Sequence, residues 1–310
     1  MSAGPQSAER VLSMRVERPL ARRPGRVRAV WRFFRGYPSA ALGAAIVLAF
    51  VGLAIGAEFV HDRAYDQDLI GRLTPPAWQD GGTAAHPLGT DTLGRDVLAR
   101  IMTAVRISLE VSVVAVVISA VFGVLLGMVA GYTGGWLDDG IMRITDAVLA
   151  FPLVLLAISV IAVLGTGIRT LVLVIAFTQW MTFTRTARAE TLVLREQQFV
   201  LAVRSLGAKR STILFKHVLP HLLPSMIALA TLNVSIVILL EAGLSYLGLG
   251  VQLPDPSLGS MLAEGRQYIT RASWLAIWPG VALVVLVLGI NLLGNGVRSY
   301  LTPQSRTLRT

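Results

Sequence analysis

Residues 195–224 read REQQFVLAVRSLGAKRSTILFKHVLPHLLP and form the one long polar, basic insert in the apolar second half of the chain. Phe199, Ala202, Val203 and Leu206 fall at i, i+3, i+4 and i+7, which is one face of a helix with a 3.6-residue period. Gly207 follows the last of them, and a glycine just past a periodic run is the usual helix stop. Ser211 or Thr212 is placed to cap a second helix carrying Ile213, Leu214 and Val218, with Pro220 as its end. The predicted element is a helix, a sharp bend and a second helix. Too polar to cross a bilayer and too short to fold alone, it reads as a docking surface for another protein.

The surrounding chain of 310 residues is 54% hydrophobic and only 15% charged, with a positive mean hydropathy, which excludes an ordinary soluble domain and indicates a membrane protein. A net charge of +10 raises the question of nucleic acid, but all except two of the 28 basic residues are arginine. They lie between apolar spans instead of along one soluble face, so membrane topology accounts for them and no nucleic-acid partner is expected. With no cysteine in the sequence, disulfides, thiolate metal sites and cysteine catalysis are excluded.

Six apolar stretches approach the roughly 20 residues that cross a hydrocarbon core: 39–57, 107–130, 147–164, 171–184, 222–240 and 274–293. An all-α membrane protein with six transmembrane helices is therefore expected. The fourth stretch is short unless it draws in 166–170 or continues past Arg185, which places it deep in the bundle. Gly43 and Ala44 put small residues in the first span, and Gly123 and Gly127 have the small-xxx-small spacing that lets helices approach closely. If the first span runs outward, segments 1–38, 131–146, 185–221 and 294–310 face the cytoplasm and hold twenty of the 28 basic residues. That bias puts both termini, and residues 195–224, inside. The organisation expected is a basic cytoplasmic segment 1–38, a first span with outer loop 39–106, a core 107–298 and a tail 299–310. Between 26 and 37, arginines alternate with Trp31, Phe33 and Phe34, a pattern that suits an interfacial helix on the anionic inner leaflet or an unstructured basic tail.

The outer loop 60–106 contains PPAWQDGG and HPLGTDTLGRD, rich in turn signals and without a period-2 run long enough for a sheet. Thr90 or Asp91 is expected to cap a short helix entering the second span or to serve packing, with direct contact to substrate as the alternative. In 241–273, Pro254 and Pro256 forbid a continuous helix while Gly248, Gly250, Gly259 and Gly265 permit reversals, so a re-entrant, scoop-like segment is expected. Arg143 and Asp146, at the mouth of the third span, are expected to pair with each other or to serve as an interfacial anchor in preference to a proton relay, and Glu110 sits close enough to the outer interface to be solvated.

Catalytic patterns are missing from the sequence. Of the two lysines, Lys209 follows Ala208 and Lys216 follows Phe215, so neither completes a phosphate-cradling P-loop. His217 and His221 are four apart, but no glutamate follows the first and Pro220 intervenes, which argues against a zinc-protease helix. Ser245 in GLSYLG does not fit the nucleophile elbow. No catalytic or metal site is assigned. Gln179, Asn233, Ser235 and Glu241 are candidate translocation-pathway residues; the first three serve equally as hydrogen bonds between helices, and Glu241 equally as a partner for neighbouring backbone amides.

The order Ala202, Gly207, Ile213, His217, Leu219, Pro220 resembles the cytoplasmic coupling motif, the EAA loop, of permease subunits in bacterial ATP-binding-cassette importers. Gly207 stands at the signature glycine, while Leu201 replaces the motif's glutamate and Val203 its second alanine. Gly89, Thr90, Asp91, Gly94, Arg95 and Asp96 resemble the GTDxxGRD signature of the peptide and nickel branch. The stretches LTPPAWQDGG and LSYLGLGVQLPDPSLGSMLAEGR are similar to dipeptide and oligopeptide permeases. Asn295 and Thr302 stand where the family usually carries acids.

The resemblance implies a type I importer permease fold in a bacterial inner membrane, with a cytoplasmic coupling helix and no enzymatic activity of its own. It implies that Phe199, Leu201, Ala202, Val203, Arg204, Gly207, Ile213, His217 and Pro220 couple to the ATPase. The implied partners are a homologous permease subunit, two ATPase domains that carry the ATP and Mg, an extracytoplasmic binding protein and membrane lipid, with no cofactor in this chain. Short peptides are the implied substrate, nickel or another small solute the alternative. An ion-coupled secondary transporter is the rival class; it usually shows repeated halves, and no internal repeat is apparent in the sequence.

Overall fold

The computed structural model describes residues 34–301; most of the expected interfacial segment 26–37, and Thr302, lie outside them. From Pro38 onward the chain forms one unit. Its first helix, α1 (Pro38–Tyr65), has 28 residues and starts on a proline, whose missing N–H is no loss in a first turn. The second, α2 (Val97–Thr133), has 37 residues and is N-capped by Asp96, whose carboxylate accepts from the Ala99 N–H at 2.9 Å. The cap expected at Thr90 or Asp91 is thus five or six residues later. Asp91 is instead buried, accepting from the N–H groups of Leu93 and Arg95 at 2.8 and 2.9 Å.

The third predicted span is broken. Helices α3 (Gly135–Leu149) and α4 (Leu153–Leu164) are bent by 91° about the intervening residues. Pro152 brings no N–H and drives Phe151 out of the helical region, which explains the break. Helix α5 (Ile168–Leu194) has 27 residues and extends the fourth predicted span at both ends, starting before Leu171 and running past Arg185. The remaining helices are α6 (Gln198–Ser205), α7 (Arg210–Tyr246), α8 (Leu258–Arg266) and α9 (Trp274–Leu301). By length and composition α1, α2, α7 and α9 can cross a membrane, and the bent pair α3–α4 makes a fifth crossing if taken as one. Helix α5 has the length but carries Gln179, Arg185, Arg188 and Glu190. Among the described residues there is no strand, only an isolated bridge between Thr90 and Asp96.

Helix α2 closes on α5 as the glycine spacing predicted. A Cβ on Gly123 would stand 2.4 Å from the Trp180 carbonyl oxygen, and one on Gly127 only 2.3 Å from that of Thr184. The row continues at Gly131, where the Arg188 carbonyl oxygen would be 2.7 Å away. Backbones meet directly, the contact available to helices that gain nothing from apolar burial in lipid. Two apolar clusters result. One joins α2, α4, α5 and α7 through residues such as Val116, Met128, Phe183 and Leu222; the other joins α1, α2, α7, α8 and α9 through Phe50, Ile101, Ile238 and Leu286. Only α2 and α7 contribute buried residues to both.

The loop between α1 and α2 is fastened by charge. Asp91 accepts from Arg95 at 2.7 Å and from Arg100 at 2.6 Å, and Arg100 reaches on to Glu264 of α8 at 2.9 Å. His86 meets Asp96 at 2.9 Å, and the Trp274 indole donates to the Thr90 carbonyl at 3.2 Å. The predicted scoop therefore consists of a turning segment after α7 and the nine-residue α8, opened by a Ser257–Ser260 capping box. Glu110 is exposed as expected and pairs with Arg106, which also meets Glu58.

Candidate functional site: the coupling bend

Helix α6 ends in a hydrogen-bonded bend. Gly207 has φ +78°, its N–H donates to the Arg204 carbonyl at 3.0 Å, and the next N–H, of Ala208, donates to that of Val203 at 3.3 Å. This is the Schellman arrangement, which satisfies two carbonyls at a helix end and requires a left-handed residue in the glycine's place. No atom lies within 4 Å of a Cβ built on Gly207, so the need for glycine here is conformational, not steric.

The buried face of α6 differs from the expected one. Val200 is buried, and Val203 and Ala208 pack against the same apolar cluster, whereas Phe199, Ala202 and Leu206 are exposed. The inward line runs through Val200 and Val203, about one residue round from the predicted stripe, and α6 stops before Leu206, which is 86% exposed. Phe199 stacks on the His221 imidazole with centroids 4.8 Å apart and planes at 24°. His221 Nδ1 in turn donates to the His217 carbonyl at 2.7 Å, which fixes the ring.

Neither Ser211 nor Thr212 caps the second helix, and Pro220 does not end it. Extended backbone at Lys209 opens α7 at Arg210 without a side-chain cap, and Ile213–Val218 is π-helical, with the Leu219 N–H donating to the Leu214 carbonyl. Proline inside an α-helix loses a hydrogen bond and clashes with the carbonyl four residues back. The wider π turn just before Pro220 relieves that clash, so the helix continues to Tyr246.

Of the nine predicted coupling residues, Phe199, Leu201, Ala202, Arg204, Gly207 and Pro220 are exposed and Val203 and His217 half-buried. Ile213 is buried in the core and contributes packing. Leu206 and Phe215, at 86% and 52% exposure, add apolar surface that the motif did not single out. Exposed Arg204, Lys209, Arg210 and Lys216 make the same face basic.

Behind the bend, Arg195 donates to the Gly131 carbonyl at 3.0 Å, joining it to the end of α2. Arg188 pairs with Asp138 through both carboxylate oxygens, one at 2.7 Å. Asp146 pairs with Arg185 at 2.6 Å, not with Arg143. The local i, i+3 pair lost to a partner on α5, a contact that only the tertiary fold creates.

The four candidate pathway residues are all buried within the chain. Ser235 donates to Asn291 Oδ1 on α9 at 2.9 Å, and Asn233 to the Leu229 carbonyl at 3.2 Å. Glu241 accepts from the hydroxyls of Ser108 at 2.6 Å and Ser245 at 2.8 Å, so hydroxyls take the place of the expected backbone amides. Gln179 lies on the buried side of α5.

A family profile described as the binding-protein-dependent transport system inner membrane component matches residues 123–307, a range that contains the whole bend. The chain belongs to this family. The permease is 38% identical over 268 residues, 86% of each chain, to the dipeptide transport system permease protein DppC of Alkalihalophilus pseudofirmus. It is 40% identical over 281 residues, 89% of its own length and 90% of the relative's, to the glutathione transport system permease protein GsiD of Salmonella typhimurium. Among solved structures, the MetNI methionine ABC transporter in inward-facing form aligns with TM-score 0.48 at 20% identity, over 63% of this chain and 94% of that one. The permease is accordingly a multi-pass inner-membrane protein that works with ATPase and substrate-binding components.

Proposed function

We propose that this permease forms half of the translocation pathway of an ATP-driven importer of short peptides, paired with a homologous permease chain above two ATPase domains. The carrying observation is the coupling bend: a Schellman-capped helix whose exposed side is apolar and basic, at the foot of a 37-residue helix that reaches the far end of the bundle. Phe199, Leu201, Ala202, Val203, Arg204, Gly207, His217 and Pro220 form the docking surface, and Ile213 seats it. ATP and Mg reside on the ATPase chains, and this subunit is not itself an enzyme. Both termini face the cytoplasm, which leaves the bend within reach of the ATPases. The solutes in the names of both relatives, dipeptide and glutathione, are short peptides, which supports that substrate class over nickel.

A cysteine placed at Ala202 tests the reading cleanly, because the chain has no native cysteine. Crosslinking to co-expressed ATPase subunits is expected, with a yield that changes on adding ATP. No crosslink from 202 or its neighbours in an assembled, inserted complex overturns the docking assignment and favours ion-driven transport. Leu201→Glu is expected to preserve or strengthen docking; lost assembly would show that the Leu201 surface is matched to its own partner.

A further inference from the structure

We propose that the cleft beside the coupling bend is a binding site for a phosphate-bearing anion. The cleft, about 440 Å³, lies between the cytoplasmic end of α2 and the α6–α7 bend, and Tyr132, Arg195, Glu196, Arg204 and Arg210 are among the residues that line it. Other clefts of similar size in the chain are walled mainly by aliphatic side chains. Three guanidinium groups here share the space with one carboxylate, and Glu196 is already paired with Arg195 at 3.0 Å. Among the described residues, Arg204 and Arg210 form no ion pair and the Tyr132 hydroxyl has no hydrogen-bond partner. The cleft therefore presents donors almost without acceptors and carries an uncompensated charge of +2.

Like charges held in a partly enclosed space repel, and an anion among them offsets that cost. The planar guanidinium fork matches two oxygens of a phosphate group, and the phenol adds a directional donor. The exposed apolar residues Leu201, Leu206 and Phe215 line none of the cleft, so the pocket suited to an anion adjoins the apolar part of the docking surface and shares only its basic edge, Arg204 and Arg210, with it. An anion held there bridges Tyr132, in the last turn of α2, and Arg195, which caps the end of α5, to Arg204 and Arg210 on the two arms of the bend. Because α2, long and apolar enough to cross a membrane, ends at Thr133 beside the cleft, a lipid headgroup and a soluble phosphate compound are both candidates to reach it.

The test uses the assembled transporter, reading hydrogen exchange across residues 195–213 with two probes: inorganic pyrophosphate, and nanodiscs of phosphatidylglycerol compared with phosphatidylcholine. Slowed exchange with either probe is expected, weakened about tenfold in apparent affinity by Arg204→Gln with Arg210→Gln and retained in Lys216→Gln. Protection by both probes identifies the phosphate group itself, by phosphatidylglycerol alone a lipid headgroup, and by pyrophosphate alone a soluble anion. Protection by neither, or equal protection in the double variant, overturns the site. Loss of ATPase subunits from the double variant, with no protection of the wild type, assigns the arginines to a protein contact instead. Should the double variant fail to assemble, Tyr132→Phe decides: binding weakened several-fold supports the site, and unchanged binding overturns it.

Discussion

The Phe199 ring lies over the His221 imidazole, 4.8 Å from centroid to centroid, so an aromatic stack holds the exposed helix α6 to the foot of α7. It is a contact made 22 residues apart in sequence, across the bend. Separate alanine substitutions at Phe199 and His221, and the double change, are expected to be non-additive by about 0.5–1.5 kcal/mol in the local opening of 198–205. Hydrogen exchange on the membrane-inserted complex measures this, and strictly additive losses would show that the stack carries no energy.

Gly207 sits at φ +78° in open space, so its replacements should rank by backbone tolerance and not by size. Gly207→Val is expected to cost about 1–3 kcal/mol at the bend and to uncouple ATP hydrolysis from transport, with membrane insertion intact. Gly207→Asn, which enters left-handed backbone more readily, is expected to keep much of the coupling. Equal transport by both variants and the wild type would remove the bend geometry from the mechanism.

Gly127 tests the contact between α2 and α5. A Cβ there would stand 2.3 Å from the Thr184 carbonyl oxygen, so Gly127→Val must push the helices apart, at a cost of about 1–3 kcal/mol or more. Gly52 on α1 has nothing within 4 Å, and Gly52→Ala is expected to be neutral or to stabilise by up to about 1 kcal/mol through helix propensity. Thermal unfolding midpoints in detergent that move alike for the two would refute the close-approach account.

Asp91 and Glu264 share Arg100 but not its environment: Asp91 is buried, whereas the Glu264 side chain is 34% exposed. Asp91→Ala leaves two buried guanidinium groups without their main partner and is expected to cost about 3–5 kcal/mol. Glu264→Gln removes a partly solvated charge and is expected to cost about 1 kcal/mol or less. Limited proteolysis of the outer loop should report the difference; a larger effect at Glu264 would mean that α8, not the Asp91 turn, anchors the loop.

Features set by a residue's own backbone were legible in the sequence, such as the stop at Gly207, the small-residue row from Gly123 and the start of α9 at Trp274. Proline was legible only in part. At Pro152 the apolar run continues on both sides, so hydropathy favoured one span, yet the helix breaks there by 91°. At Pro220 the sequence suggested a stop, yet the π turn at Ile213–Val218 carries the helix through. The same residue type gives opposite outcomes according to whether the preceding turn can widen, which no local pattern announces. Pairings went the same way: Arg143 lies nearest Asp146 in sequence, but Arg185 reaches it from α5, and Asp91 and Asp96 look interchangeable until Arg95 and Arg100 claim the first. The coupling element was legible as an element, while its inward face, on a helix of only eight residues, was ambiguous by one position.

Helix α7 runs unbroken from Arg210 to Tyr246, so the bend and the outer segment sit at opposite ends of one strut about 55 Å long. A strut of that length is a lever arm. Tilting it by about 5° about its foot sweeps its tip through about 5 Å, the height of nearly one helical turn. A small angular displacement at the bend is thereby geometrically magnified where Glu241, Ser245 and the segment before α8 lie. Its stroke is fixed by the helix's length, so inserting or deleting residues within α7 would rescale the displacement even where every contact at the bend is kept.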